Sequence, residues 1–261
     1  MIFIGGTQRL ASVVEKLVPL MAAAFILGAI IVIVVRIKYV TEAFGMIFKY
    51  AFAPQAIIGG AFGMAIKTAI SQGAKRGLFS NEAGMGSTPH AHAQANVKCP
   101  HEQGAVAMAG VFIDTFVVLT LNALVIICTL YVGNGPLAGC GAAAAQDVLT
   151  KTNLAQTAFG VVYGEKAGAA FIAIALFFFA FSTILGWNMF GKTNMAYLFG
   201  SIGVKVYTVI SLIFVFLGTV MASDLVWELT DFANYLMVLP NVIGLFGCSA
   251  LVTGLMKEGG K

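Results

Sequence analysis

Charge is scarce in this chain. Asp, Glu, Lys and Arg make up 10% of its 261 residues, against roughly 25% in a typical soluble domain. That excludes a disordered chain, a nucleic-acid binder with a basic face, and an ordinary soluble enzyme. Cysteine is nearly as scarce. Cys99, Cys128, Cys140 and Cys248 show no CxxC spacing, so they read as small buried apolar residues. The three histidines build no metal motif. His90 and His92 form an HxH without further ligands, and His101-Glu102 lacks the second histidine of HExxH. Walker A and GxSxG are both missing. Met1-Ile2-Phe3-Ile4 runs at once into Gly5-Gly6, then Arg9, Glu15 and Lys16, which is not the order of a signal peptide.

What is abundant is apolar: 59% of residues, with a mean hydropathy of +0.93. These values predict an all-α polytopic membrane protein in contact with a lipid bilayer and not with nucleic acid. A span needs about 20 mostly apolar residues. Spans are expected at 17–35, 50–72, 103–132, 167–191, 206–223 and 232–256, within a single transmembrane domain over 1–261. The second is interrupted by Pro54, Gly59, Gly60 and Gly63, so it is expected to break at 59–63. The stretch 142–163 sets Val148, Leu149, Ala155, Phe159 and Val162 among polar residues, as in an amphipathic helix lying over the outer face. Basic residues near span ends set orientation. Lys75, Arg76 and Lys98 in the 73–102 loop, with Lys257 and Lys261 in the tail, place both in the cytoplasm; the 224–231 loop carries Asp224, Glu228 and Asp231 and no basic residue. Arg36, Lys38 and Lys49 point the other way.

Four features could carry function. The Gly59-Gly60 region lets backbone groups leave the helix at membrane depth, where they must face protein or water; the same glycines could instead form a GxxxG packing face. Ser182 and Thr183 lie halfway along a charge-free span, and their oxygens suit a hard cation such as Na⁺; alternatively, each bonds its own helix carbonyls. Trp187, one turn on, either walls a small pocket or anchors at the interface. Asp114 is the one carboxylate inside a confident span, where an ionised group is costly and functional by default, unless it only pins two helices together. The segment Gly73–His92 is dense in glycine and small polar residues. There Arg76 and Glu82 are candidates for a gate, with Glu82 paired to a base, and the rival is helix capping.

The run Arg76-Gly77-Leu78-Phe79-Ser80-Asn81-Glu82-Ala83-Gly84-Met85-Gly86-Ser87, continued by Pro89-His90-Ala91-His92-Ala93, resembles the sodium:alanine symporter family. So do Val111-Phe112-Ile113-Asp114-Thr115, Phe181-Ser182-Thr183-Ile184-Leu185-Gly186-Trp187, Asp231-Phe232-Ala233-Asn234 and Pro240-Asn241, and the likeness covers essentially the whole chain. The resemblance implies a LeuT-like inverted-repeat transporter fold, of which the six spans would be helices five to ten, with Met1 falling in the interior of the family pattern. It implies sodium-coupled symport of alanine or glycine across the plasma membrane by alternating access. Gly59, Gly60, Phe62 and Trp187 would meet the substrate, and Ser182 and Thr183 the sodium ion. Asp114, Glu82 and Arg76 would serve as gating groups, with no catalytic residue and no organic cofactor. The alternative is a truncated, non-transporting membrane fragment of such a carrier.

Overall fold

The structure, a computed structural model, describes residues 7–52, 71, 73–138 and 153–259. Among them every regular element is helical. In order they are α1 (Thr7–Val35), a 3₁₀ turn at Ile37–Tyr39, α2 (Val40–Phe52), α3 (73–80), α4 (Thr88–His92), α5 (Pro100–Tyr131), α6 (Leu154–Tyr163), α7 (Glu165–Val220), α8 (Ser223–Gly247) and α9 (Ser249–Gly259). Four are long and apolar enough to cross a membrane: Glu15–Val35, α5, α7 and α8. Residues 53–70 lie outside the described residues, and with them the expected break and Gly59, Gly60 and Phe62.

The chain divides into two units. One holds 8–72 and 113–183. Its core is the fully buried set Ala29, Val32, Val125, Leu130, Leu137, Ala158, Phe159 and Ile172. Phe159, expected on an amphipathic face, is at its centre, with its ring 5.3 Å from that of Phe171 and 5.9 Å from that of Phe25. Gly28 permits this approach: a Cβ there would lie 2.5 Å from the Phe171 ring. Tyr163 donates its phenol to the Gly28 carbonyl at 2.9 Å, and burial pushes that phenol above its ordinary value. Of the stretch 142–163, the described part is helical from Leu154 and stops at Gly164, whose φ of +84° and ψ of 148° suit only glycine.

α5 is not a plain α-helix. Its backbone widens to π geometry at Ile113–Leu119 and Ile127–Tyr131. The second widening offers the Cys128 carbonyl to Arg36, whose Nε donates to it at 2.9 Å while its guanidinium lies 4.3 Å over the Tyr39 ring.

The other unit holds 73–112 and 184–261. Several segments read from sequence as loops are helical here, and within the 73–102 loop residues 73–80 and Thr88–His92 form α3 and α4. Residues 192–205 continue α7 on both sides of Gly200, the one residue with non-helical backbone (φ 63°, ψ −152°). The acids of 224–231 occupy the first turns of α8, with Asp224 in the first. There a carboxylate favours the positive helix end, which accounts for Asp224, while Glu228 and Asp231 lie further along the helix. No described residue of α8 is buried.

Candidate functional site

α3 carries Arg76 towards α8. Its Nη1 lies 3.4 Å from Asp231 Oδ1, with the arginine 44% and the aspartate 15% exposed. The guanidinium sits 4.8 Å over the Trp227 ring, and Phe79 meets the same ring edge-on at 5.9 Å. A half-exposed pair at this distance is worth a fraction of a kcal/mol, so the aromatic stacking shares the work of placing Arg76. Beside it lies a cavity of about 10 Å³, room for one water, lined by Lys75, Asp231, Met85 and Asn234. The buried Nδ2 of Asn234 has no protein partner.

The glycine-rich segment after α3 is a fastened turn. Glu82 adopts a positive φ of 49°, and its Oε2 accepts hydrogen bonds from Ser87 Oγ at 2.6 Å and Thr88 Oγ1 at 3.0 Å. Sequence reasoning looked for a base opposite this carboxylate, or a helix cap. The partners shown are two hydroxyls at the start of α4, and the Ser87 side chain spends itself on Glu82 rather than on α4's backbone. Asn241 donates from Nδ2 to the Gly84 carbonyl at 2.9 Å. His90 lies between Ser87 O (Nδ1, 3.2 Å) and Asn194 Oδ1 (Nε2, 3.1 Å), with its ring 5.6 Å from that of Phe190. Gln103 Nε2 reaches His92 Nδ1 at 2.6 Å. Side chains from α5, α7 and α8 thus hold one short segment.

In the other unit, Ser182 and Thr183 share one acceptor. Ser182 Oγ donates to Phe179 O at 2.9 Å and Thr183 Oγ1 to the same carbonyl at 2.8 Å. Ser182 also lies 3.9 Å from Met21 Sδ. This is the back-bonded geometry, and it spends only the hydroxyl hydrogens. Both oxygens keep lone pairs, so the arrangement is chemically fit to present two ligands to a hard cation. Asp114 is half-buried on the first π-helical segment of α5, a backbone irregularity often found at functional sites.

Trp187 lies in the first-described half of α7's contribution to the 184–261 unit, edge-on to Phe190 at 5.9 Å. It borders a groove of about 320 Å³ together with Asn188, Tyr207 and Ser211. The structure therefore pairs Arg76 with Asp231 of α8, ties Glu82 to Ser87 and Thr88, and sets Ser182 beside Thr183. Sequence reasoning assigned no role to Asp231, Asn241 or Asn188. Each is a polar residue in an apolar helix, and that was the available signal.

Helices long and apolar enough to span, with large side chains such as Phe246 and Ile243 left 76% and 73% exposed, define a polytopic helical membrane protein. The sequence pattern of the sodium:alanine symporter family matches residues 1–258, and the chain belongs to that family. It is 38% identical to an uncharacterized transporter of Haemophilus influenzae, over 99% of this chain and 54% of that protein. To the sodium/alanine symporter of Methanococcus maripaludis it is 36% identical, over 98% of this chain and 53% of the relative. The sodium/proton-dependent alanine carrier protein of Bacillus sp. strain PS3 is 36% identical, over 92% and 54%. The chain spans about half the length of the curated relatives it matches.

Proposed function

We propose that this chain contributes to cation-coupled symport of a small neutral amino acid, alanine or glycine, with Na⁺ as the coupling ion. The observation that carries the reading is the family match along 1–258; the names of the Methanococcus and Bacillus relatives support the ion and the cargo. In this reading the fold is LeuT-like, a single transmembrane domain in the plasma membrane with a cytoplasmic carboxyl terminus. Gly59, Gly60, Phe62 and Trp187 face the substrate. Ser182 and Thr183 give Na⁺ two of the roughly six oxygens that hard cations take. No organic cofactor and no catalytic residue is required, because ion and substrate work by favouring one of two conformations. Arg76 and Glu82 sit at the turn that opens and closes one side, and Asp114 answers a charge within the membrane.

The experiment is a chimera in which this chain replaces the matching segment of the Methanococcus maripaludis symporter, reconstituted in proteoliposomes. An inward Na⁺ gradient is expected to drive uptake of labelled alanine, with glycine competing. Uptake indifferent to Na⁺, or none from a chimera that is monodisperse and membrane-inserted, would overturn the reading.

A further inference from the structure

The groove beside Trp187 has a chemical character of its own. Residues 184–188 of α7 form one wall, and 207–215, beyond the Gly200 turn, form the other. Gly191 makes their contact possible, because a Cβ there would collide with the Tyr207 hydroxyl. Asn188 lines the groove and is only 4% exposed. Its Nδ2 donates to Ser211 Oγ over a long 3.3 Å, while its buried Oδ1 has no partner. The neighbouring hydroxyls do not supply one: Ser211 donates to Thr208 O at 3.1 Å, and Thr208 donates to Val204 O at 2.7 Å. The Asn188 amide thus donates from its nitrogen while its oxygen lacks a donor. A buried amide is rarely left so.

We propose that this groove binds a neutral, mostly apolar small molecule bearing one N–H or O–H donor. The donor completes Asn188 Oδ1, and the body lies among Trp187, Tyr207 and Phe214. No charged side chain among the described residues lines the groove, and it sits in an apolar helix of membrane-crossing character. An ammonium or carboxylate would therefore shed its water without meeting an opposite charge. That disfavours a zwitterionic amino acid in this groove. The groove is thus distinct from the substrate site of the transport reading, in which Trp187 serves only as an apolar wall that limits size, and the inference does not rest on that reading. A volume of about 320 Å³ is at the small end of ligand pockets and suits one or two rings. Flat aromatic bodies match the aromatic wall. Indole, with one N–H on an aromatic frame, is the simplest member of the class.

The test is equilibrium dialysis of labelled indole and 1-methylindole against the purified full chain in nanodiscs. The two probes differ by the donor and by one methyl group, and Asn188→Leu separates the two effects because it removes only the acceptor for the donor. Indole is expected to bind saturably and about tenfold more tightly than 1-methylindole, the worth of one well-made hydrogen bond. Asn188→Leu should erase that preference by weakening indole, while 1-methylindole changes by no more than about twofold. Val215→Phe, which fills the groove from the far wall, should weaken both, and it provides an independent check should the leucine variant fail to yield monodisperse protein. Equal binding of the two probes to the unaltered chain overturns the proposal. So does a preference that survives Asn188→Leu, indifference to Val215→Phe, or the absence of saturable indole binding.

Discussion

Gly86 shows how one missing side chain closes a turn. Its φ is +77°, and a Cβ would lie 2.7 Å from Asn241 Oδ1, the side chain that holds the Gly84 carbonyl. Gly84 has nearly the same φ, +75°, but open space around it. Gly84→Ala is therefore expected to cost only the left-handed backbone penalty, about 1–2 kcal/mol. Gly86→Ala should cost more, because it adds the collision. Thermal unfolding in detergent ranks the pair, and Asn241→Ala placed on Gly86→Ala should relieve part of the excess. For the hydroxyl pair, Thr183→Val in the transporting chimera should raise the half-saturating Na⁺ concentration several-fold with little loss of folded protein, since a vanished ligand weakens ion binding more than it disturbs an exposed helix face. Unchanged Na⁺ dependence in both Thr183→Val and Ser182→Ala places the ion elsewhere. Composition and spacing showed Ser182 and Thr183 adjacent at mid-helix, but not that one carbonyl, Phe179 O, takes both hydrogens. Adjacent residues diverge by about 100° around a helix, and only rotamers decide whether two hydroxyls converge.

At the scale of elements, the glycine-rich turn and its clamps form one device. Glu82 takes two hydroxyls on one oxygen, and Ser87 beneath it is 5% exposed. Glu82→Gln keeps an acceptor and should leave thermal stability within about 1 kcal/mol. Glu82→Ala strands the buried Ser87 hydroxyl and should cost about 1–3 kcal/mol; equal melting temperatures for the two variants would show that these bonds do not fasten the turn. The composition of 73–92 pointed to a structured loop, either a gate or a helix cap. Its partners were harder to see, because Asn241 and Asn194 lie more than a hundred residues from the groups they hold, and a single sequence carries no record of such pairings. That the 192–205 and 224–231 connections are helical has a local cause. Lys192, Lys205 and the acids after Ser223 looked like solvated connections, yet each lies in a helix whose backbone satisfies itself. Charge count marks where a helix leaves the apolar region, not where it ends.

At the scale of the whole molecule, length settles what α7 can be. An unbroken α-helix of 56 residues would run about 84 Å, while the hydrocarbon core of a bilayer is about 30 Å thick. Gly200 resolves the excess. Its backbone leaves the helix there, and the 201–220 stretch beyond it measures about 30 Å, one crossing. Lys192 and Lys205 flank the break, as basic residues do near membrane faces. In the two-span reading Gly200 lies at an interface, with 201–220 crossing as a span of its own. Leu212 is 52% exposed and Tyr197 89%, so neither substitution below opens a core. Leu212→Lys, near the middle of the 201–220 stretch, puts a charge among lipid tails and should lower the insertion of the second span by about 2.5–3.5 kcal/mol. Tyr197→Lys, three residues before the turn, should insert within about 1 kcal/mol of the unaltered chain, because a lysine there can lift its ammonium into the headgroups. Glycosylation mapping in microsomes reads both. An equal penalty at the two positions would place the Gly200 turn inside the apolar layer and contradict the two-span reading of α7.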